Sequence, residues 1–138
     1  MSAAARTLDQ KRAAHALSQV RDVDGGLAAS YRSYVESLAA TIVTNGLGQA
    51  CATLLARASG KHDAHRLLYD DLQEWLCRSE GGVYGGEKSL LDAVINGDQR
   101  QYVYAQAEAL AYLDWLKKFA QAFLKQDSAS ASGANHAG

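Results

Sequence analysis

Not one of the 138 residues is a proline, and the stop signals that remain fall at a few well-separated places: Asp24-Gly25-Gly26, Asn45-Gly46, Ser59-Gly60, the glycine-rich stretch Gly81–Gly86, and Asn96-Gly97. Between them the chain is rich in Ala, Leu, Gln, Lys and Arg, which lose little rotamer freedom in a helix. Uninterrupted helix formers between sharp glycine stops admit few architectures other than helices packed on helices. The expectation is an all-α fold: a single compact bundle of about five to six helices occupying residues 1–125, followed by a disordered tail over 126–138, where "QDSASASGANHAG" has no apolar periodicity.

The apolar spacing locates the helices. Thr7 followed by Gln10 has the form of a capping box, and Leu8, Ala14, Leu17 and Val20 keep a helical rhythm that ends at Asp24-Gly25-Gly26. From Leu27, the positions Tyr31, Tyr34, Val35, Leu38 and Ile42 recur at i, i+3/i+4, i+7 up to Asn45-Gly46. A short helix through Ala50, Cys51, Leu54 and Leu55 reaches Arg57. Asp63 can cap a fourth helix with its stripe on Leu67, Leu68, Leu72, Trp75 and Leu76, ending around Arg78. Leu90, Leu91, Val94 and Ile95 mark a short fifth, and Asp98 can cap a long last helix running to Leu124.

The stretch "EGGVYGGEKS", Glu80 to Ser89, invites comparison with the phosphate loop G-x-x-x-x-G-K-[ST]. Gly81 and Gly86 have the right separation, but Glu87 intrudes before Lys88 and Ser89, and an amphipathic helix precedes the glycines where a P-loop needs a buried strand. The stretch therefore reads as a flexible helix–helix connection. His62 and His65 could share a helix face, yet no E-x-x-H spacing accompanies them, so neither a metal nor any other cofactor is expected. Asp70 and Asp71 diverge by about 100° on a helix and cannot pinch a substrate between them. The two cysteines, Cys51 and Cys77, read as buried thiols. Of the many aromatic residues most, Trp115 foremost, are expected in the core. No constellation of an enzyme is visible. With no stretch approaching a membrane span and no signal-peptide core, a cytoplasmic protein without a membrane partner is expected.

A formal net charge of −1 excludes a uniformly basic nucleic-acid binder while leaving room for a local basic face. Basic residues cluster on the first helix, at the turn after the third helix and near the chain's ordered end, whereas Asp70, Asp71, Glu74 and Glu80 concentrate around the fourth helix. If these basic segments met, one face would suit phosphate contact and the other, acidic, would suit stacking.

Two segments, "YRSYVESLAATIVTNGLGQACATLLA" (Tyr31 to Ala56) and "EALAYLDWLKKFAQAFL" (Glu108 to Leu124), resemble the small subunit of the type III-B CRISPR effector, the Cmr complex. Where that family often carries a proline before the isoleucine of the second helix, this chain has Ala39 and Ala40. The resemblance implies a helical protein without nuclease activity of its own. Such a protein stacks in several copies beside the backbone subunits, has the backbone and large subunits as partners, and contacts the CRISPR RNA and its target RNA. On that reading Arg12, Arg21, Arg57, Lys61, Lys117 and Lys118 are the residues that would face the duplex phosphates, without reading bases. A helical protein-binding adaptor without RNA contact, and the small subunit of the related type III-A effector, are the alternatives.

Overall fold

The computed structural model describes residues 5–124, so the expected tail over 126–138 lies outside the described residues. The described chain is all-helical. Its helices are α1 (Leu8–Arg21), α2 (Ala28–Asn45), α3 (Leu47–Arg57), α4 (Ala64–Leu76), α5 (Leu90–Asn96) and α6 (Gln99–Phe123), with a short 3₁₀ turn at Gly25–Leu27. Each start has a local cause. Thr7 Oγ1 accepts from Gln10 N at 3.0 Å while Gln10 returns a bond to Thr7 N at 2.8 Å, completing the expected box. Asp63 caps α4 through His65 N at 3.0 Å, and Asp98 caps α6 through Gln101 N at 2.8 Å.

Gly46 turns α2 directly into α3 with φ at +93°, in the left-handed region. A side chain there would also meet the Tyr102 hydroxyl at 2.7 Å, so both backbone and packing require glycine. α2 itself runs without interruption through Ala39 and Ala40, as expected of a chain lacking the family's proline.

The long α6 is the spine. α1 and α2 both pack along it, α2 also rests on α3 and α4, and α5 bridges back to α3. The interior holds Tyr31 and Ile42 from α2, Leu47 from α3, Leu68, Leu72 and Leu76 from α4, Leu90 from α5, and Tyr112, Leu113 and Leu116 from α6, all essentially inaccessible to solvent. Each such side chain stabilises the bundle by about 1.5–3 kcal/mol relative to exposure.

The glycine stretch is a built loop rather than a loose connection. α4 ends at Leu76, two residues short of the expected Arg78, and the chain folds back so that Tyr84 N donates to Leu76 O at 2.9 Å and Gly86 N to Cys77 O at 3.2 Å. The Tyr84 ring is driven into the core, 3% exposed. That anchorage needs Gly82, where a Cβ would strike the backbone oxygens of Arg78 and Leu76.

Trp115 departs from expectation. It lies at the rim of the core, its indole N–H donating to the exposed Asp9 at 3.0 Å and its ring stacked on Phe119 at 5.5 Å. The indole N–H requires an acceptor, and the helix surface beside α1 supplies one. Tyr104 and Val103 on the same helix are mostly exposed, as is Ile95 of α5. Of the two cysteines, Cys51 is buried and Cys77 only partly so.

Candidate nucleic-acid interface

Of the six basic residues singled out by sequence, Arg12 is turned inward and the other five are exposed. α1 lies along α6, which brings Arg21 to the end of α6: Arg21 lines a cleft with Val20, Val23, Phe123 and Leu124. Lys117 and Lys118 sit about one and a half turns earlier on the same helix, both exposed. Lys118 makes a surface pair with Asp114 at 2.9 Å, a contact worth only tenths of a kcal/mol. Lys117 makes no ion pair among the described residues. Arg32, which sequence reasoning passed over, belongs to this end as well: its guanidinium donates to Leu124 O at 3.2 Å.

Arg57 and Lys61 lie on a different element. α3 meets α6 through its N-terminal end, where Leu47 N donates to Gln106 at 3.0 Å and Gly48 N to the Tyr102 hydroxyl at 3.3 Å. Arg57 closes the opposite end of that helix, about 15 Å of rise away. Both residues are exposed, on the turn leading into α4. The exposed cations thus fall toward the C-terminal end of α6 and on the α3–α4 turn, and the Tyr34–His65 stack holds that turn against the part of α2 whose Arg32 reaches Leu124.

Arg12 is turned inward instead. Its Nε and Nη2 form a two-pronged pair with Glu108 at 2.6 and 2.8 Å, and its Nη1 reaches Asp9 at 3.1 Å. The side chain is 17% exposed and that of Glu108 11%. Burial pushes the Glu108 carboxyl up, but Arg12 and the Trp75 indole N–H, 2.9 Å away, hold it below the usual carboxylate range. The guanidinium donors are thus engaged by carboxylates of α6 and of α1 itself.

The acidic face expected around α4 keeps Asp70, Glu74 and Glu80 toward solvent and loses Asp71 to the interior. Asp71 is 4% exposed, between α1 and α2, where its carboxyl accepts from the Tyr31 hydroxyl at 2.6 Å and from Gln19 Nε2 at 2.7 Å. Burial, reinforced by Glu74 and Asp70, pushes its pKa up to about 7 against the pull of those two bonds. Asp70 points outward to Arg66 at 3.0 Å, and the exposed Glu74 lies 3.2 Å from His15 Nε2. The other nitrogen of His15 meets the Tyr112 hydroxyl at 2.6 Å; burial lowers the pKa of this imidazole, against the nearby Glu74. Sequence signals for these long-range partners were lacking, since they lie 40 to 97 positions apart.

Of the two histidines considered for metal, one packs on an aromatic ring and the other stands at the surface. His65 stacks on Tyr34 with centroids 3.8 Å apart and contacts Asp63 at 3.2 Å, and His62 is exposed. Among the described residues no group of three or more His, Cys, Asp or Glu is placed to hold a metal ion. Burial raises the Cys51 thiol to about 12 and that of Cys77 to about 11, opposite to the shift a nucleophilic cysteine needs. No described helix is long and apolar enough to cross a membrane.

What the fold and surface define is a small all-α domain whose inward polar groups join its helices together and whose exposed cations lie on α1, on α6 and at the α3–α4 turn. The chain belongs to the family described as CRISPR-associated protein (Cas_Cmr5), which it matches over residues 8–123, as the resemblance in its sequence implied. It is 32% identical over 122 residues to the CRISPR system Cmr subunit Cmr5 of Thermus thermophilus, an alignment covering 88% of this chain and 99% of the relative. Its fold is similar to the crystal structure of a CRISPR-associated Cmr5 family protein from Thermus thermophilus, with a TM-score of 0.72 and 30% identity, covering 87% of this chain and 100% of the other.

Proposed function

We propose that this protein is the non-catalytic small subunit of a type III-B CRISPR ribonucleoprotein effector. In this reading it stacks in several copies beside the backbone subunits, within reach of the large subunit, and contacts the duplex of guide RNA and target RNA through phosphates alone. The observation that carries the reading is the family match, which spans nearly every described residue. The contacts are assigned to Arg21, Lys117 and Lys118 on one patch and to Arg57 and Lys61 on the other; Arg12, engaged by Glu108, instead fixes α1 on α6.

Two exposed patches of two or three cations each bind RNA weakly one at a time, and stacked copies multiply such contacts along a duplex. The test is reconstitution with CRISPR RNA-bound backbone subunits, read by native mass. Incorporation of two or more copies is expected, with target-RNA affinity falling as salt rises. Lys117→Glu with Lys118→Glu should flatten the log–log salt slope by about 1.5 for each incorporated copy while leaving the copy number unchanged. Failure to join competent backbone subunits would refute the assignment to the effector. An unchanged slope would remove these two lysines from the interface.

A further inference from the structure

Two exposed apolar surfaces lie at opposite ends of α6. α1 runs beside α6 in the same direction, so that Leu8 shares a cleft with Gln101 and Tyr104, and Val20 another with Phe123 and Leu124. The first cleft, of about 320 Å³, opens where the two helices begin, and Val83 and Arg78 also line it. Tyr104 is 70% exposed there, and Val103 beside it is nearly as open. Where the helices end, about 28 Å of rise further on, Phe123 stands beside Val20, Val23 and Ala28.

Phe123 follows Leu116 and Ala120 at i+7 and i+3, on the stripe that those two residues bury in the core. Yet it is 55% exposed, because the stripe runs one turn past its cover. Apolar side chains grouped in the open in this way mark contact surfaces. Residues 125–138 follow Phe123 directly, but "KQDSASASGANHAG" holds no apolar side chain larger than alanine, so the chain's own end has little to cover it with.

The charges at the two ends differ. In the first cleft the partly buried Arg78 lies over the Trp75 ring at 3.4 Å and makes no ion pair among the described residues. Glu108 also lines that cleft but is held by Arg12, and Arg100 adds an exposed cation next to Val103. The second cleft has Arg21 in its wall and is flanked in the chain by two exposed carboxylates, Asp22 and Asp24, which likewise make no ion pair among the described residues. A desolvated guanidinium without a counter-charge is costly, and a carboxylate brought to Arg78 offsets that cost.

We infer that these two ends bind each other in successive copies of the chain. The Phe123 ring of one copy enters the cleft between Leu8, Val83 and Tyr104 of the next, and its Asp22 and Asp24 come toward Arg78 and Arg100. The inference deepens the stacked-copies reading and rests on it. Contact between two different surfaces is heterologous, so it repeats from copy to copy and leaves one free surface of each kind at the limits of the stack. Few apolar side chains take part, so the contact is weak beside free-standing interfaces of roughly 1,600 Å², and it gains from copies being held side by side. Lys117 and Lys118 lie outside both clefts.

The test is sedimentation equilibrium of the full chain, free of other subunits, up to about 1 mM, the order of concentration that neighbours on a scaffold experience. The mass of the wild type should rise with concentration and show no plateau at the dimer. Tyr104→Glu and Phe123→Asp, both at exposed positions and expected to melt close to the wild type, should each stay monomeric. Mixed in equal amounts they retain one intact surface of each kind between them, and should reach a dimer and go no further. Asp22→Asn with Asp24→Asn should weaken association about threefold, as loss of exposed charge pairs does. A wild type that stays monomeric, a mixture that stays monomeric, or a single variant that associates as the wild type does would overturn the inference. Reconstitution with CRISPR RNA-bound backbone subunits separates it from the reading beneath it. Wild type and both variants joining in the same number of copies would sink this contact and leave the effector assignment standing. A wild type that associates when free but does not join would sink the effector assignment and leave the contact.

Discussion

Asp71 should make the stability of this domain depend on pH in an uncommon direction. Its folded pKa is raised, from 3.8 to about 7, because the carboxyl is buried between α1, α2 and α4 with Glu74 and Asp70 nearby. A raised carboxylate pKa means that the folded state prefers the proton. The stabilisation is therefore complete below the unfolded pKa, near 4, and is lost as pH rises through about 7. The rise from 3.8 to about 7 sets a ceiling of roughly 4 kcal/mol, more than half of which falls between pH 5 and pH 8. Other groups oppose it: His15, whose pKa is lowered by burial, favours the folded state at higher pH. The quantity to measure is the difference between the wild type and Asp71→Asn, from urea unfolding at pH 5, 6, 7 and 8. Asn keeps the shape and one acceptor but cannot ionise, so relative to the wild type the variant should gain roughly 2–3 kcal/mol across that range. Tyr31→Phe removes a bond that favours the ionised carboxyl and should move the midpoint upward. A difference between wild type and Asp71→Asn that stays flat from pH 5 to pH 8 would refute the argument.

Glu108→Gln breaks the two-pronged pair with Arg12 and should cost about 2–3 kcal/mol, lowering the melting temperature by about 10 °C, whereas Arg12→Met combined with Glu108→Leu should lose less than the single change because no charge is left unpaired. Gly82→Ala, with its Cβ directed onto the backbone of Arg78 and Leu76, should destabilise by about 3 kcal/mol in chemical denaturation. Gly25→Ala, where a Cβ meets nothing within 4 Å and φ is not positive, should be stabilising by about 0.5 kcal/mol.

The helices were legible in the sequence because their causes are local. Thr7, Asp63 and Asp98 cap where expected, and Gly46 stops α2 where Asn45-Gly46 said it would, since capping and left-handed turns are decided within four residues. The candidate surface was legible only as a roster of charges. Whether Arg12 faces solvent or Glu108, and whether Asp71 faces water or Tyr31, depends on which stripes pair across the bundle. Neighbours 96 and 40 positions away decide that. The same holds for Trp115, whose position on an apolar stripe hid a polar partner on another helix. Tyr84 was invisible for a different reason: glycines on both sides signal a turn, and nothing local says that the turn drives its one aromatic into the core.

The way α1 is attached follows from the same networks. Its inward positions Arg12, His15 and Gln19 recur at i, i+3 and i+7, the spacing that normally carries apolar residues, and each reaches polar partners on α4 or α6. Only Ala16 and Val20 of this helix are fully buried, against six buried residues on α6. Little apolar area therefore holds α1 down, while its polar contacts depend on charge state and, at the rim, on salt. Helices with few buried apolar contacts open at lower free energy than the global unfolding. Amides of α1 should accordingly exchange with deuterium well before those of α2 and α6 under native conditions. Glu108→Gln should accelerate exchange in α1, through local opening, more than in the middle of α2, whose amides follow only the loss of global stability. Equal protection in α1 and α6, moving together in the variant, would mean that the helix is welded to the bundle and that these contacts serve the global fold alone.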